Sequence, residues 1–172
     1  MLGELITSKT RLRLLIKFFV SQANKGHLNG LATEMGESTN GIRKELNHLQ
    51  EAGYLQKLKV NNKIEYKANT NHPLFETLSK VVFKHLGLED LVEKVLERMG
   101  ELDQIILVGD YAKGNDTGII EVFLIGQDLN MEYISQLENK IEDLIGRKVN
   151  FYLASKFLAD KEHIILFNSK DK

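Results

Sequence analysis

The sequence predicts an α+β protein, and three patterns support this fold class. Between Leu28 and Ala68, two segments with helical periodicity are followed by two strand-like segments. Beyond residue 100, strand-like and helix-like segments alternate. The polar stretch Asn69–Pro73, which holds the only proline, separates the two patterns. The chain is therefore expected to fold as two domains of different architecture.

Charge divides along the same line. Residues 1–72 hold 11 Lys and Arg against 6 Asp and Glu, whereas residues 73–172 hold 12 against 18. A basic part joined to an acidic part indicates that only the first part meets a polyanion. We expect a first domain over residues 1–72, a helical linker over residues 73–100 and a second domain over residues 101–172.

Composition disfavours several kinds of site. The chain has no cysteine, which excludes disulfides and zinc–thiolate sites. Its five histidines lie far apart with no pair at i, i+4, so neither a metal ion nor another cofactor is expected. No apolar run approaches the roughly 20 residues of a membrane span, and no small-residue cleavage site follows an apolar core. We expect a cytoplasmic protein with no membrane partner.

The first part opens with a predicted helix over Ser8–Val20, which Ser8 can cap. Its apolar stripe at helical spacing is formed by Leu12, Leu15, Ile16 and Phe19. Ala23–Gly26 is expected to be a loop. A second helix is predicted from Leu28 to Met35, and Gly36 marks the turn after it.

The segment Ser38–Ala52 is predicted to be the longer helix of this part. One narrow stripe of it is apolar and consists of Ile42, Leu46 and Leu49. The opposite side is polar and consists of Asn40, Arg43, Lys44 and Asn47. Ser38 or Thr39 can cap its start, and Gly53 stands where a left-handed residue ends a helix. One face therefore packs, and the other is offered to solvent or to a partner.

Two strands are predicted after Gly53, and they are joined by Asn61-Asn62. Alternation is clear only in the second strand, Lys63–Lys67. Asparagine tolerates positive φ, so Asn61-Asn62 suits a tight hairpin with Lys59 and Lys63 beside its tip. Two helices followed by such a hairpin are the order of elements in a winged helix-turn-helix.

This order of elements indicates binding to double-stranded DNA, with the second helix in the major groove and the hairpin lysines at phosphates. The predicted DNA-binding residues are Ser38, Thr39, Asn40, Arg43, Lys44, Asn47, His48, Lys59, Asn61, Asn62 and Lys63. Arg11 or Arg13 is expected to add a phosphate contact. The alternative is a protein-interaction module whose charged face is only solvated. A helix start of short polar side chains together with a basic hairpin favours DNA.

The linker and the second domain are predicted from similar periodicities. Two helices, Leu74–Leu86 and Glu89–Met99, have wide apolar faces that suit either a bridge between domains or a homodimer contact. The remaining predicted elements are strands at Gln104–Val108, Gly118–Ile125 and Lys148–Ala154, a helix at Met131–Ile145, a short helix at Ser155–Ala159 and a last strand at His163–Phe167.

The segment Leu107–Gly114 and the strand Ile119–Gly126 together resemble the signature of the minimal nucleotidyltransferases. In that family a Gly-Ser-x-Ala-x-Gly turn cradles a nucleoside triphosphate, and two Asp residues at i and i+2 of the next strand hold Mg²⁺. A third carboxylate usually stands on a later strand. With the winged helix and the linker Asn69–Phe75, the chain resembles bacterial transcriptional regulators that fuse an ArsR-like DNA-binding domain to such a domain.

The chain departs from that signature at four positions. Asp110 replaces the Ser of the turn, Ile119 and Glu121 replace the two Asp residues, and Asn150 stands where the third carboxylate would fall. Only one of the three metal-binding carboxylates remains, as Glu121, and phosphoryl-type transfer relies on more negative charge than one carboxylate supplies. The resemblance therefore implies a nucleotidyltransferase-like fold with no catalytic residues and no metal site.

Two roles remain open for such a domain. It can serve as a dimerisation body, or it can sense a nucleotide or other anion through Gly109, Asp110, Lys113, Gly114 and Glu121. The alternative function is enzymatic: a nucleotidyltransferase that modifies a nucleic acid or protein, with Glu121 and Asp110 forming a metal site. A weaker alternative is an antitoxin-like protein that binds another protein.

Overall fold

The computed structural model describes residues 2–171. Met1 and Lys172, the outer bounds of the two predicted domains, lie outside these described residues. The chain is an α+β protein, as predicted. It divides into two compact units between Val82 and Phe83, a point inside the range 73–100 that the sequence assigns to a linker.

The first unit contains the predicted pair of helices followed by a hairpin. Its elements are α1 (Leu2–Leu5), α2 (Lys9–Phe19), β1 (Lys25–His27), α3 (Leu28–Met35), α4 (Thr39–Glu51), β2 (Leu55–Val60) and β3 (Lys63–Ala68). Helix α5 (Phe75–Leu86) crosses the division between the units. The expected caps are confirmed, because the Oγ atoms of Ser8 and Ser38 accept from the N–H groups of Arg11 and Gly41, each at 3.1 Å.

Strand β1 corrects the expectation of a loop over Ala23–Gly26. It pairs antiparallel with β3 and completes a three-stranded sheet of order β1-β3-β2. Gly26 lies opposite Tyr66 in this pairing. A three-residue strand centred on glycine has no apolar alternation to predict it, so only the pairing with β3 defines it.

The core of the first unit joins α2 to α4. The predicted stripe of α4 is buried, since Ile42 and Leu46 are fully inaccessible and Leu49 is 6% exposed. Leu14 and Phe18 of α2 are also fully inaccessible. The predicted stripe of α2 is borne out in part, because Leu15, Ile16 and Phe19 are buried, whereas Leu12 is half-buried and the inaccessible Leu14 and Phe18 lie outside the stripe.

The second unit is built on a four-stranded mixed sheet. Its elements are α6 (Leu88–Arg98), β4 (Glu101–Val108), α7 (Gly109–Ala112), β5 (Ile119–Gln127), α8 (Met131–Ile145), β6 (Lys148–Ala154), β7 (Ile164–Asn168) and the 3₁₀ turn Ser169–Asp171. The strand order is β6-β5-β4-β7. Strand β4 is antiparallel to both neighbours, whereas β5 and β6 are parallel because α8 connects them.

Two local predictions in this unit are wrong. Ser155–Ala159 is not a helix, and the ring centroid of Phe157 lies 5.4 Å from that of Phe123. Gly109–Gly114, for which no helix or strand is predicted, begins with the single turn α7. Short segments of this kind are decided by tertiary packing rather than by local propensity.

An ion pair in the second unit joins the segment after α8 to the segment before β5. Arg147 binds Asp116 through two nitrogens on one edge of its guanidinium, with Nη2 2.6 Å from Oδ2 and Nε 3.0 Å from Oδ1. The hydroxyl of Tyr111 also donates to Asp116. Burial raises the pKa of Asp116, but the hydrogen bonds from Arg147 and Tyr111 outweigh it and hold the pKa below its ordinary value.

None of the described helices is long and apolar enough to cross a membrane.

Candidate nucleic-acid interface

Helix α4 presents a continuous polar face to solvent. Asn40, Arg43, Lys44 and His48 are exposed and Asn47 is half-buried on the side away from the apolar stripe, and Thr39 is exposed as the first residue of the helix. The Arg43 side chain donates to Asn40 Oδ1 over 3.5 Å. Ser38 is exposed, and its hydroxyl is engaged in capping the helix.

The hairpin β2–β3 forms the wing of the first unit. Asn61 and Asn62 have φ values of 46° and 61°, the left-handed pair that a two-residue turn with a matching twist requires. Val60 pairs with Lys63 next to the turn. The predicted turn is confirmed, and Lys59, Asn61, Asn62 and Lys63 are exposed at its tip.

An open groove of about 580 Å³ runs between α4 and the wing. Of the predicted DNA-binding residues, the groove brings together Arg43, Asn47, Asn62 and Lys63. The other predicted residues do not line it: Ser38, Thr39, Asn40, Lys44, His48, Lys59 and Asn61. The groove therefore joins the middle of the helix to one side of the wing.

Several residues that line the groove are not among the predicted DNA-binding residues. His27 and Asn29 come from the junction of β1 and α3, and Lys57 and Tyr66 come from the wing strands. Lys57 Nζ lies 5.9 Å from the centroid of the Tyr66 ring, which is 7% exposed. Burial raises the pKa of Tyr66, although the nearby Arg43 charge acts in the opposite direction. In the sequence, only alternation along the wing strands points to Lys57 and Tyr66.

The cations of helix α4 and the wing are unpaired. They are Arg43, Lys44, Lys57, Lys59, Lys63 and Lys67, and none is in an ion pair with any of residues 2–171. An unpaired cation on an exposed surface keeps its full charge for an external anion. Helix α4 and the wing therefore present a positive surface on both sides of the groove.

Several other cations of the same unit are in ion pairs within the protein. Arg13 lies 3.4 Å from the Glu37 carboxylate and donates to the Met35 carbonyl at 2.8 Å. Lys17 is buried and lies 2.6 Å from Glu34. Arg11 and Arg13, expected to reach phosphates, are engaged in ion pairs within the protein.

The ion pair between Arg11 and Glu45 connects α2 to α4. Glu45 is 7% exposed, and its Oε2 atom accepts from Arg11 Nε at 2.8 Å while Oε1 accepts from Ser8 Oγ at 2.9 Å. The buried stripe of α4 therefore includes one carboxylate, which the apolar pattern does not reveal. This pair fixes the rotation of α4 about its axis, since a rotated helix would leave Glu45 buried without a partner.

The residues predicted to bind a nucleotide are only partly brought together in the second unit. Gly109, Lys113 and Glu121 line a cleft of about 610 Å³, whereas Asp110 and Gly114 do not. The backbone N–H groups of residues 113, 114 and 115 donate within the loop to the carbonyls of residues 109, 111 and 110. These three donors are therefore already used and do not face the cleft as an anion cradle.

Glu121 is engaged by its neighbours. Its Oε1 atom accepts from the Tyr152 hydroxyl at 3.2 Å, and Asn150 is its partner across the parallel strands. Gly109 has φ +68°, and a Cβ atom at this position would clash with the Glu121 carboxylate. Among residues 2–171, no three His, Asp or Glu side chains converge as ligands for a metal ion.

No family model matches the chain, and no curated protein matches it either. A solved structure with a similar fold is that of the AntR antimony-specific transcriptional repressor, which is 20% identical. The match covers 54% of this chain and 78% of that chain, with a TM-score of 0.40.

Proposed function

We propose that the protein is a DNA-binding transcriptional regulator that contacts double-stranded DNA through α4 and the wing. The observation that carries the proposal is the set of unpaired cations on α4 and the wing, of which Arg43, Lys57 and Lys63 line the groove. Each can neutralise a phosphate and release a condensed counterion, which favours association in low salt. In this role, α4 lies in the major groove and the wing contacts the adjacent backbone.

Sequence readout is assigned to the polar face of α4. Arg43 and Asn47 line the groove, and their side chains have the donor and acceptor patterns that recognise guanine and adenine. Lys44, Lys59 and Lys63 are assigned to phosphates, because a lysine carries a point charge rather than a planar pair of donors. Arg11 and Arg13 are omitted, since both are in internal ion pairs.

Salt dependence of binding tests the proposal directly. The three phosphate contacts assigned to Lys44, Lys59 and Lys63 predict a slope of log affinity against log salt of about −3 per protomer, and Lys57 or Arg43 would each add about −1 if it also contacted a phosphate. A fluorescent duplex of mixed sequence, titrated with the full chain at several salt concentrations and followed by anisotropy, measures this slope. Lys63→Glu should weaken binding more than about tenfold, whereas Lys170→Glu makes the same change in net charge on the other unit and should have little effect. An equal effect of both substitutions would refute the assigned surface.

Arg43→Ala separates base readout from phosphate contact. Once selection from a random duplex pool has given a preferred sequence, the variant should lose about 1–3 kcal/mol on that sequence and less on a scrambled one. If Arg43 contacts only phosphate, both duplexes should weaken equally and the salt slope should fall by about one. Unchanged affinity for both duplexes would contradict either role.

We propose a non-catalytic role for the second unit. The first and third metal-binding positions of the nucleotidyltransferase signature hold Ile119 and Asn150, and Glu121 is bonded to Tyr152. A single carboxylate provides less charge than two-metal transfer needs. Incubation with labelled nucleotide and Mg²⁺ or Mn²⁺ should give no transfer. Transfer that Glu121→Gln abolishes would instead support the enzymatic alternative.

We further propose that the regulator acts in the cytoplasm as a homodimer. Operator sites are commonly two-fold symmetric, and two copies of α4 would match two half-sites. Val81 in α5 and Leu96 in α6 are 38% and 41% exposed, so both helices have apolar surface to offer a second copy. Sedimentation of the full chain tests this, and Leu96→Glu should shift the population toward monomer if α6 contributes.

A further inference from the structure

The cleft of the second unit has the size and the apolar lining of a small-molecule site. Its apolar wall is formed by Phe123, Tyr152, Phe157 and Leu158, and its volume of about 610 Å³ is in the range of ligand pockets. The centroid of Phe123 lies 5.2 Å from that of Tyr152 and 5.4 Å from that of Phe157. The three rings therefore form one continuous aromatic surface.

This aromatic surface is open to solvent. Leu158 is 71% exposed and Tyr152 is 41% exposed. Concave apolar surface is the part of a protein that gains most when a ligand removes it from water. A planar apolar ligand would cover the exposed side chains and stack against the rings.

Lysines supply the charge of the cleft. Lys113, Lys156 and Lys161 line it, and none of them is in an ion pair with another residue of the described chain. Two acidic residues, Glu121 and Asp160, also line it. The three lysines are the side chains of the cleft whose charge can bind an anion, and Glu121 accepts a hydrogen bond from Tyr152. The excess of one positive charge matches a ligand with a single negative group.

A nucleoside polyphosphate fits this cleft poorly. The N–H groups of residues 113, 114 and 115 are consumed inside the loop. The Glu121 carboxylate lies against Gly109, where a phosphate would otherwise approach the backbone. The lysines would have to compensate several phosphate charges, and the net charge of the side chains that line the cleft is only +1.

We propose that the cleft binds a small aromatic molecule with one anionic group. The ring system lies against Phe157 and Tyr152, and the carboxylate or sulfonate is bound by Lys156 and Lys161. This site lies wholly within the second unit, so its occupancy is measured without DNA and does not depend on the DNA-binding proposal.

A fluorescent aromatic sulfonate, 8-anilinonaphthalene-1-sulfonate, is the probe. The full chain should bind it with one tight site per chain. The double variant Lys156→Ala/Lys161→Ala should weaken it by about fivefold to tenfold, as expected for two exposed charge contacts. The uncharged analogue N-phenyl-1-naphthylamine should lose under about twofold in the same variant, because it has no charge to pair.

Matched substitutions separate the cleft from other apolar surface. Leu158→Ala should weaken both probes, whereas Leu144→Ala changes a leucine that is 53% exposed outside the cleft and should weaken neither. Far-ultraviolet circular dichroism checks that each variant is folded. Equal effects of the two leucine substitutions, or equal loss of both probes in the lysine variant, would overturn the proposal.

Competition identifies the chemical class. 1-Naphthoate, which has one carboxylate on a fused ring, should displace the sulfonate probe, and Mg²⁺–ATP should not do so at the same concentration. Displacement by Mg²⁺–ATP in preference to 1-naphthoate would mean a nucleotide site and would reject the proposal. Binding of the sulfonate at several equivalent sites that ignore the cleft variants would also reject it.

Discussion

Replacing Arg11 by Met tests how helix α4 is held in place. The buried Glu45 carboxylate accepts from Arg11 Nε at 2.8 Å and from Ser8 Oγ at 2.9 Å. Methionine keeps much of the aliphatic length of arginine and removes the guanidinium. In the Arg11→Met variant, Glu45 would be a buried carboxylate with the Ser8 hydrogen bond alone.

The expected cost is about 3 kcal/mol in the free energy of unfolding, because the substitution leaves a buried charge without its partner. This is the lower end of the usual range, since the side chain of Arg11 is 38% exposed and water can partly replace it. Adding Glu45→Gln should recover about 1–2 kcal/mol, because a neutral amide at this position no longer needs a cation. The double variant should therefore be more stable than Arg11→Met.

The pH dependence supplies a second measurement. Burial raises the pKa of Glu45, but the hydrogen bonds from Arg11 and Ser8 outweigh it and hold the pKa below 4.5, its ordinary value. In the wild type, the contribution of ionised Glu45 to the free energy of unfolding is full above about pH 4.5 and is lost as the pH falls through the lower folded-state pKa. In Arg11→Met, burial acts against fewer opposing contacts, so the folded-state pKa should rise. The deficit relative to wild type should then shrink in acid, where Glu45 becomes neutral.

Denaturant unfolding of the full chain, followed by circular dichroism, measures both effects. Hydrogen exchange of the α2 and α4 amides checks that the loss occurs in the first unit. The reasoning fails if the double variant is no more stable than Arg11→Met. It also fails if the deficit of Arg11→Met stays constant from neutral pH down to about pH 4.

Two further predictions concern the second unit. Asp116→Asn should cost about 2 kcal/mol of unfolding free energy in denaturant titrations, because it removes the charge that Nε and Nη2 of Arg147 bind. A loss under about 0.5 kcal/mol would contradict this. Gly87→Ala should cost about 2–3 kcal/mol, since Gly87 has φ +77° and a Cβ atom there would lie 2.6 Å from the Ile145 side chain. Gly146→Ala is the matched control, with φ +68° and open space around the position, and should cost about 1 kcal/mol in the same assay.

Local rules in the sequence predict most of the first unit. The stripe of Ile42, Leu46 and Leu49 predicts the buried side of α4, and Asn61-Asn62 predicts the turn of the wing. Both depend on neighbours in the chain, through helical periodicity and tolerance of positive φ. The exposure of Arg43 and Lys44 follows from the same helical geometry.

What the sequence does not predict depends on contacts between distant residues. Glu45 is a polar residue beside an apolar stripe, and its partner Arg11 is 34 residues away in the chain. Strand β1 exists because Lys25–His27 pairs with β3. The aromatic cleft brings Phe123 together with Phe157, two residues that belong to separate predicted elements. No periodicity within one segment reports such encounters.

The short loop after β4 satisfies its own backbone. The amides of residues 113, 114 and 115 donate to carbonyls of the same loop, so the shape of the loop does not depend on a bound ligand. Its exposed side chain Asp110 can therefore be exchanged without loss of the turn. The shape of this loop is therefore set by its own backbone and not by the side chain at residue 110.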